Sequence, residues 1–393
     1  MTRLTRRDFL FASAATIGSV VISTSLAGCS SDEPAPQPLP YNVEFSHGVA
    51  CGDPTADALL LWTRVTADAA EVPLEWQLAL DKEFSQLVRS GETTTSAASD
   101  YTVKIDVRDL SAGSEYFYRF RAGTQYSAIG RGKTLPTGDV NQVKLAVFSC
   151  ANYPAGYFHV YAKATEISNL DATIHLGDYL YEYGIGGYAS EDAAALGREV
   201  QPVNEMVSLA DYRQRYGQYR TDSALQLLHA AAPMIAVWDD HEVTNDTWRD
   251  GAENHQPNEG DFTERKRAAL QAYFEWMPIR PLSANDEETI YRQFEFGNLV
   301  NLLMLDTRVI GRDKQLEYAQ YIDPVSGQLD ATRFSADLTQ SNRTLLGNEQ
   351  LQWLQDKLSQ NDARWQILGQ QVLMGRMLLP GAVALQQLSI TDF

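Results

Sequence analysis

Cysteine and histidine are scarce in this 393-residue chain, with three of the first and six of the second, and no histidine follows His255. So few cysteines exclude a disulfide-dense secreted scaffold; with Cys29 otherwise engaged, one bridge at most, Cys51–Cys150, remains open. Positive charge is also in short supply: 32 Lys and Arg stand against 51 Asp and Glu, a net charge of -19. The first 28 residues carry Arg3, Arg6, Arg7 and Asp8, so the remainder is more acidic still. Nucleic-acid and anionic-lipid binding draw on Lys and Arg that release counterions, so the charge balance argues against a polyanion-binding role. No internal repeat occurs. The one extended apolar stretch, Phe11 to Ala27, is too short and too rich in Ser, Thr and Gly to make a stable spanning helix.

That stretch belongs to a leader. Thr5-Arg6-Arg7-Asp8-Phe9-Leu10 reads as a twin-arginine signal, and Leu26-Ala27-Gly28-Cys29 resembles a lipobox in which Cys29 is lipidated. Residues 1–29 are therefore expected to be a signal, and 30–40, with four prolines, an extended tether. The expected location is outside the cytoplasm, periplasmic or at the cell surface, with the twin-arginine machinery as partner and the membrane as anchor. That route carries folded proteins, which hints at a metal acquired before export.

Residues 41–137 alternate in the manner of short strands. Val103, Ile105 and Val107 share one parity, as do Tyr116, Tyr118 and Phe120, and Ala58-Leu59-Leu60-Leu61-Trp62 is an apolar run. Leu110 with Tyr116 six residues on resembles the tyrosine corner of immunoglobulin-like and fibronectin-like sandwiches. A small β-sandwich follows. After Gly138 apolar runs alternate with helical patterns, which predicts a layered α/β domain over 142–393. Strands are expected at Val143–Phe148, Ala172–Leu176, Met234–Trp238, Leu299–Leu305 and Trp365–Leu368. Helices are expected from Ser208, with Tyr212, Tyr216 and Tyr219 as core; over Glu264–Met277, ending at Pro278; and around Leu351, Leu354 and Leu358, also read as core.

Four of the five strands run into polar groups: Ser149-Cys150; Gly177-Asp178 with Tyr181 beyond; Asp239-Asp240-His241-Glu242 with Asn245 beyond; and Asp306-Thr307-Arg308. Ligands of open α/β sheets sit outside the carboxyl ends of the strands, so these groups can share one crevice. Asp178, Asp239 and Asp240 would repel one another there unless a cation intervened, and such hard oxygens suit divalent or trivalent ions. A thiolate from Cys150 and a phenolate from Tyr181 favour a higher-valent ion such as ferric iron. His175, inside a strand pattern, reads as a satisfied core histidine.

Several segments in order resemble one family: Phe148 to Phe158, HLGDYLYEYG (175–184), WDDHEVTND (238–246) and LDTR (305–308), preceded by FSHGVACGDPTADALLLWTRV (45–65) and followed by LGNEQLQWLQDKL and ILGQQVL. They are similar to the alkaline phosphatase D (PhoD) family of calcineurin-like metallophosphoesterases. The resemblance implies a layered metallophosphoesterase core behind a small sandwich, and an exported, monomeric hydrolase of small phosphomonoesters, with phosphodiesters as further substrates, serving phosphate acquisition. It implies ferric iron on Cys150, Asp178 and Tyr181, and calcium on Asp178 with groups of the Asp239–Asn245 segment, Asp239, Asp240 and Asn245. It gives His241 contact with substrate or protonation of the leaving oxygen, and Arg308 the phosphate. The superfamily's late Gly-Asp-x-His is not found, so a C-terminally incomplete domain is expected. The alternative is a truncated, inert surface lipoprotein that binds metal or phosphate.

Overall fold

The computed structural model describes residues 36–282 and 288–374. The twin-arginine leader, Cys29 and the first part of the tether lie outside the described residues. Thirteen of the strands position the site: β1 (Val49–Gly52), β2 (Leu59–Arg64), β3 (Glu71–Ala79), β4 (Leu87–Ser96), β5 (Thr102–Val107), β6 (Glu115–Ala122), β7 (Gly130–Lys133), β8 (Leu145–Phe148), β9 (Ala172–His175), β10 (Met234–Ala236), β11 (Arg292–Phe296), β12 (Val300–Met304) and β13 (Trp365–Gly369).

The predicted sandwich is present. One layer has the order β7-β6-β3-β4, antiparallel throughout. Its alternation buries Tyr116, Tyr118 and Phe120. The Tyr116 hydroxyl accepts a hydrogen bond from Ser111 N at 2.9 Å, five residues upstream, as a tyrosine corner requires. The other layer, β1, β2 and β5, does not end with the sandwich. Gly52 pairs with Met234, and the sheet continues as β8-β9-β10-β1-β2-β5, parallel from β8 to β1 and antiparallel beyond.

Only glycine allows this junction. A Cβ on Gly52 would stand 2.0 Å from Pro278 O and 2.8 Å from Met234 O. The next residue locks it. Buried Asp53 accepts from Arg292 Nη2 at 2.7 Å and Nε at 3.0 Å, and from Arg280 N at 2.7 Å. A buried charge is tolerable only when paired in this way. The boundary expected near residues 137–142 is therefore one of chain order, while the sheet crosses it.

A second sheet, β11-β12-β13, is antiparallel and then parallel. Helix α1 (Leu209–Arg220) starts at the predicted capping box, Ser208 with Asp211, and buries Tyr212, Tyr216 and Tyr219 completely. Helices α2 (Ser223–Ala231) and α3 (Phe262–Trp276) follow, α3 stopping just before Met277-Pro278. Helix α4 (Asn348–Ser359) corrects one expectation. Leu354 is buried, but Leu351 and Leu358 are exposed. The small cluster beneath α4, Leu303, Leu305 and Leu346, accommodates one leucine, and Gln350 takes the neighbouring inward position, bonding Asp306 N and O.

Three histidines are buried in the core. His175 meets the Tyr161 hydroxyl at 3.2 Å through Nε2, but its Nδ1 has no partner among the described residues, so the satisfied histidine expected there is only half so. Burial pushes His175 down to about 3; burial with Arg64 and Arg220 does the same to His47, and His229 also lies well below its ordinary value. Below pH 6.5 the unfolded chain binds protons that the folded chain refuses, so stability is complete above 6.5 and falls as pH drops toward 3. Each of the three costs about 1.4 kcal/mol per pH unit in that window. Urea titrations at pH 7, 6 and 5 should show the His175→Phe chain losing less stability than the parent, by about that slope; parallel losses would refute the assignment.

Candidate metal centre

Strands β8, β9 and β10 are parallel, so their carboxyl ends open on one edge. β8 delivers Cys150, β9 delivers Gly177-Asp178, and β10 delivers Asp239-Asp240. The first two loops are stitched together by Cys150 N to Gly177 O at 3.2 Å and Ala151 N to Asp178 O at 2.7 Å. Gly177, at φ +107°, lets the second loop touch the third; a Cβ there would lie 2.3 Å from Asp239 N. The fully buried Glu242 carboxylate then ties both, accepting from Asp178 N at 3.1 Å, Tyr179 N at 2.5 Å and Asp239 N at 2.8 Å. Burial and the nearby Asp178 and Asp239 carboxylates hold Glu242 well above the usual carboxylate range.

Three predicted ligands meet at one oxygen. Cys150 Sγ lies 3.4 Å and the Tyr181 hydroxyl 3.2 Å from Asp178 Oδ2. Asp178 Oδ1 is buried and has no partner among the described residues. Ligand atoms of Asp178, Asp240 and His241 all lie within 4.8 Å of one another, and all three residues are buried. Cys150 (φ 60°), Asp178 (φ 52°) and Asp246 (φ 52°) adopt the left-handed backbone, an uncommon concentration of strain in non-glycine residues of one site. Burial, then Asp240, raises Asp178 against the pull of His241. Burial and Asp240 raise Asp239 to about 7, with Arg308 opposing. The Cys150 thiol is raised by burial, with Asp178 adding to it. All three departures come first from burial and then from neighbouring negative charge, and a cation would oppose both.

Arg308 supplies part of that charge. Its Nε donates to Asp239 at 2.6 Å, and its guanidinium reaches Asp240 at 3.2 Å and Asp246 at 3.4 Å. The Asp306 carboxylate takes no part in this; it accepts from the backbone N of Arg308 and Val309, both at 2.8 Å. Asn245 stands next to the cluster through Glu182. Its amide donates to exposed Glu253 at 3.0 Å while its backbone N caps Glu182 at 2.8 Å. Cys51 and Cys150 are free thiols, so no disulfide joins them.

Glu182 was not among the residues singled out from the sequence. It is fully buried and accepts from His241 Nδ1 at 2.6 Å, Thr244 Oγ1 at 3.0 Å, Asn245 N at 2.8 Å and Asn254 Nδ2 at 2.8 Å. Burial alone would raise it, but these partners, His241 foremost, hold it at about 2. Burial alone would likewise lower His241; Glu182 overrides it, with Asp240 and Asp178 behind, and lifts the imidazole to about 9. With Nδ1 committed to Glu182, Nε2 is the ring nitrogen left for chemistry. The available signal was a lone acid in a Tyr179–Tyr183 run whose other members are tyrosine and leucine.

A buried carboxylate with an idle oxygen, a thiol and a phenol on its other oxygen, and a second carboxylate close by form a donor set that fits a metal ion. Known proteins resemble the chain over most of its length. Residues 145–391 match the family description "PhoD-like phosphatase", and residues 29–136 match its N-terminal domain. Over 347 residues the chain is 37% identical to alkaline phosphatase D of Bacillus subtilis, covering 84% of this chain and 56% of that protein. A solved structure titled "Structure of PhoD" superposes with a TM-score of 0.72 at 36% identity, over 84% of this chain and 63% of the other. The chain thus spans little more than half the length of the curated relative.

Proposed function

Because the chain belongs to the PhoD-like phosphatase family, we propose that it is a metal-dependent hydrolase of phosphomonoesters and phosphodiesters that frees phosphate outside the cytoplasm. The observation that carries this reading is the meeting of Cys150 and Tyr181 on Asp178, beside Asp240 and His241. Sulfur, phenol and carboxylate suit ferric iron; Asp178, Asp239 and Asp240 offer the oxygens that calcium takes. Bound there, the ions would polarise phosphoryl oxygens and make water more acidic.

The protein's own groups do the rest. His241, protonated at neutral pH and steered by Glu182, gives the leaving oxygen its proton through Nε2. Arg308 holds Asp239 and Asp240 in the absence of a cation; where a cation takes those carboxylates, its planar fork is available to two phosphate oxygens. Glu242 keeps the Asp178 and Asp239 loops at fixed separation, so the site is built before substrate arrives.

The test is direct. The purified chain, loaded with iron and calcium, should hydrolyse p-nitrophenyl phosphate at alkaline pH, the bis-ester rate giving the diester share, and elemental analysis should find both metals. Metal without turnover would leave only the non-catalytic, metal-binding reading; neither metal nor turnover would end both. We further propose twin-arginine export and anchoring through lipidated Cys29, supported by the leader alone. Cys29→Ser should move the protein from the membrane fraction to the soluble one, and an unchanged distribution would refute the anchor.

A further inference from the structure

Beside His241 stand three tyrosines, of which the proposed reaction uses only Tyr181. The Tyr181 ring lies 4.2 Å from the His241 ring, and Tyr183 lies 5.6 Å from it on another side. Tyr188 caps the row, stacked on Tyr181 at 6.1 Å and 25° and tilted toward Tyr183 at 6.3 Å. Tyr181 is buried, Tyr183 half-buried, and Tyr188 is 63% exposed.

An exposed aromatic ring on a loop is ordinary, but this loop is fixed to the metal centre. Asn152, two residues beyond Cys150, donates through Nδ2 to Tyr188 O at 3.1 Å. Ile185 N bonds Val203 O at 2.9 Å, Gly187 N bonds Gly184 O at 3.1 Å, and Ser190 Oγ bonds Gly187 O at 2.7 Å. Tyr188 is thus held by backbone contacts on both sides while its ring remains open to solvent.

We propose that Tyr188 and Tyr183 form a shelf for the leaving group, and that the site prefers phosphate esters of flat, aromatic alcohols to those of simple alkyl alcohols. This rests on the phosphatase reading, in which His241 faces the leaving oxygen. The group attached to that oxygen then leaves beside the Tyr183 ring, 5.6 Å from His241, against which Tyr188 is tilted at 6.3 Å. A planar leaving group can stack on a tyrosine face and bury apolar area there; a short alkyl group can do neither well. Because the loop is already ordered, little entropy is lost when the ring is covered.

Binding separates this from turnover. Phenylphosphonate and methylphosphonate, neither hydrolysable, would be titrated into the metal-loaded full chain by calorimetry. The aryl ligand should bind about tenfold more tightly. Tyr188→Ala should shrink that margin to about twofold, and Tyr188→Phe, which keeps the ring, should retain it. Equal binding by the parent chain, or a margin that survives Tyr188→Ala, overturns the shelf and leaves the phosphatase reading intact. Binding of neither phosphonate overturns both.

Discussion

Asp178→Asn should lose about a thousandfold in kcat/KM and most of its bound metal together. Asp178 Oδ2 is the atom on which Cys150 and Tyr181 converge, and Oδ1 is buried without a protein partner. Asparagine keeps the shape but replaces one acceptor by a donor and removes the charge that a cation needs. The metal-free proteins should differ in the opposite sense. Asp178 is raised in the fold, so above its unfolded value the folded carboxylate binds more protons than the unfolded one, and stability falls as pH rises through that window. Removing the charge relieves this, and the apo variant should melt no lower than the apo parent at pH 8. Parent-like metal content and activity in Asp178→Asn would show that the cluster is not the metal site.

The second large effect concerns the His241–Glu182 pair. His241→Asn should lower kcat by about 10²–10⁴-fold with little change in metal content. Glu182→Gln should cost about 10–100-fold, since the imidazole remains but loses its fixed tautomer and orientation. The pH profile distinguishes the two. An acid lifted to about 9 gives an alkaline fall in kcat/KM near or somewhat below that value, bound cations pushing it down. In Glu182→Gln that fall should move toward the ordinary histidine range near 6.5. An unmoved alkaline limb would mean that His241 is not the proton donor.

The site was largely legible in the sequence because its parts obey a local rule. An apolar run that ends abruptly in Gly-Asp, Asp-Asp-His or Ser-Cys marks a buried strand opening on a polar edge, and that needs only neighbouring residues to read. Cys150, Asp178, Tyr181, Asp240 and His241 were found this way and the fold gathers them. The pairings that decide charge were hidden because they join distant loops. Glu182 reaches His241 across 59 positions, and Arg308 reaches Asp239 across 69. Asn245 shows the reverse, being near the motif in sequence but turned toward Glu253. The same reason explains the fold's misread parts. Spacing placed Leu351, Leu354 and Leu358 on one face of α4, but how much of that face is covered depends on what lies beneath.

The Gly52–Met234 pairing has a consequence for any attempt to simplify this protein. Excising the sandwich to leave a minimal hydrolase would strip β1 from β10, whose far end leads directly to Asp239. The exposed strand margin would offer its amides to any other extended chain, and Arg292 would lose the buried Asp53, and Arg280 the Asp106, that neutralise them. Such a fragment should aggregate during expression rather than yield a smaller enzyme. What looks like an accessory module in chain order is a retaining wall for the strand that carries the chemistry.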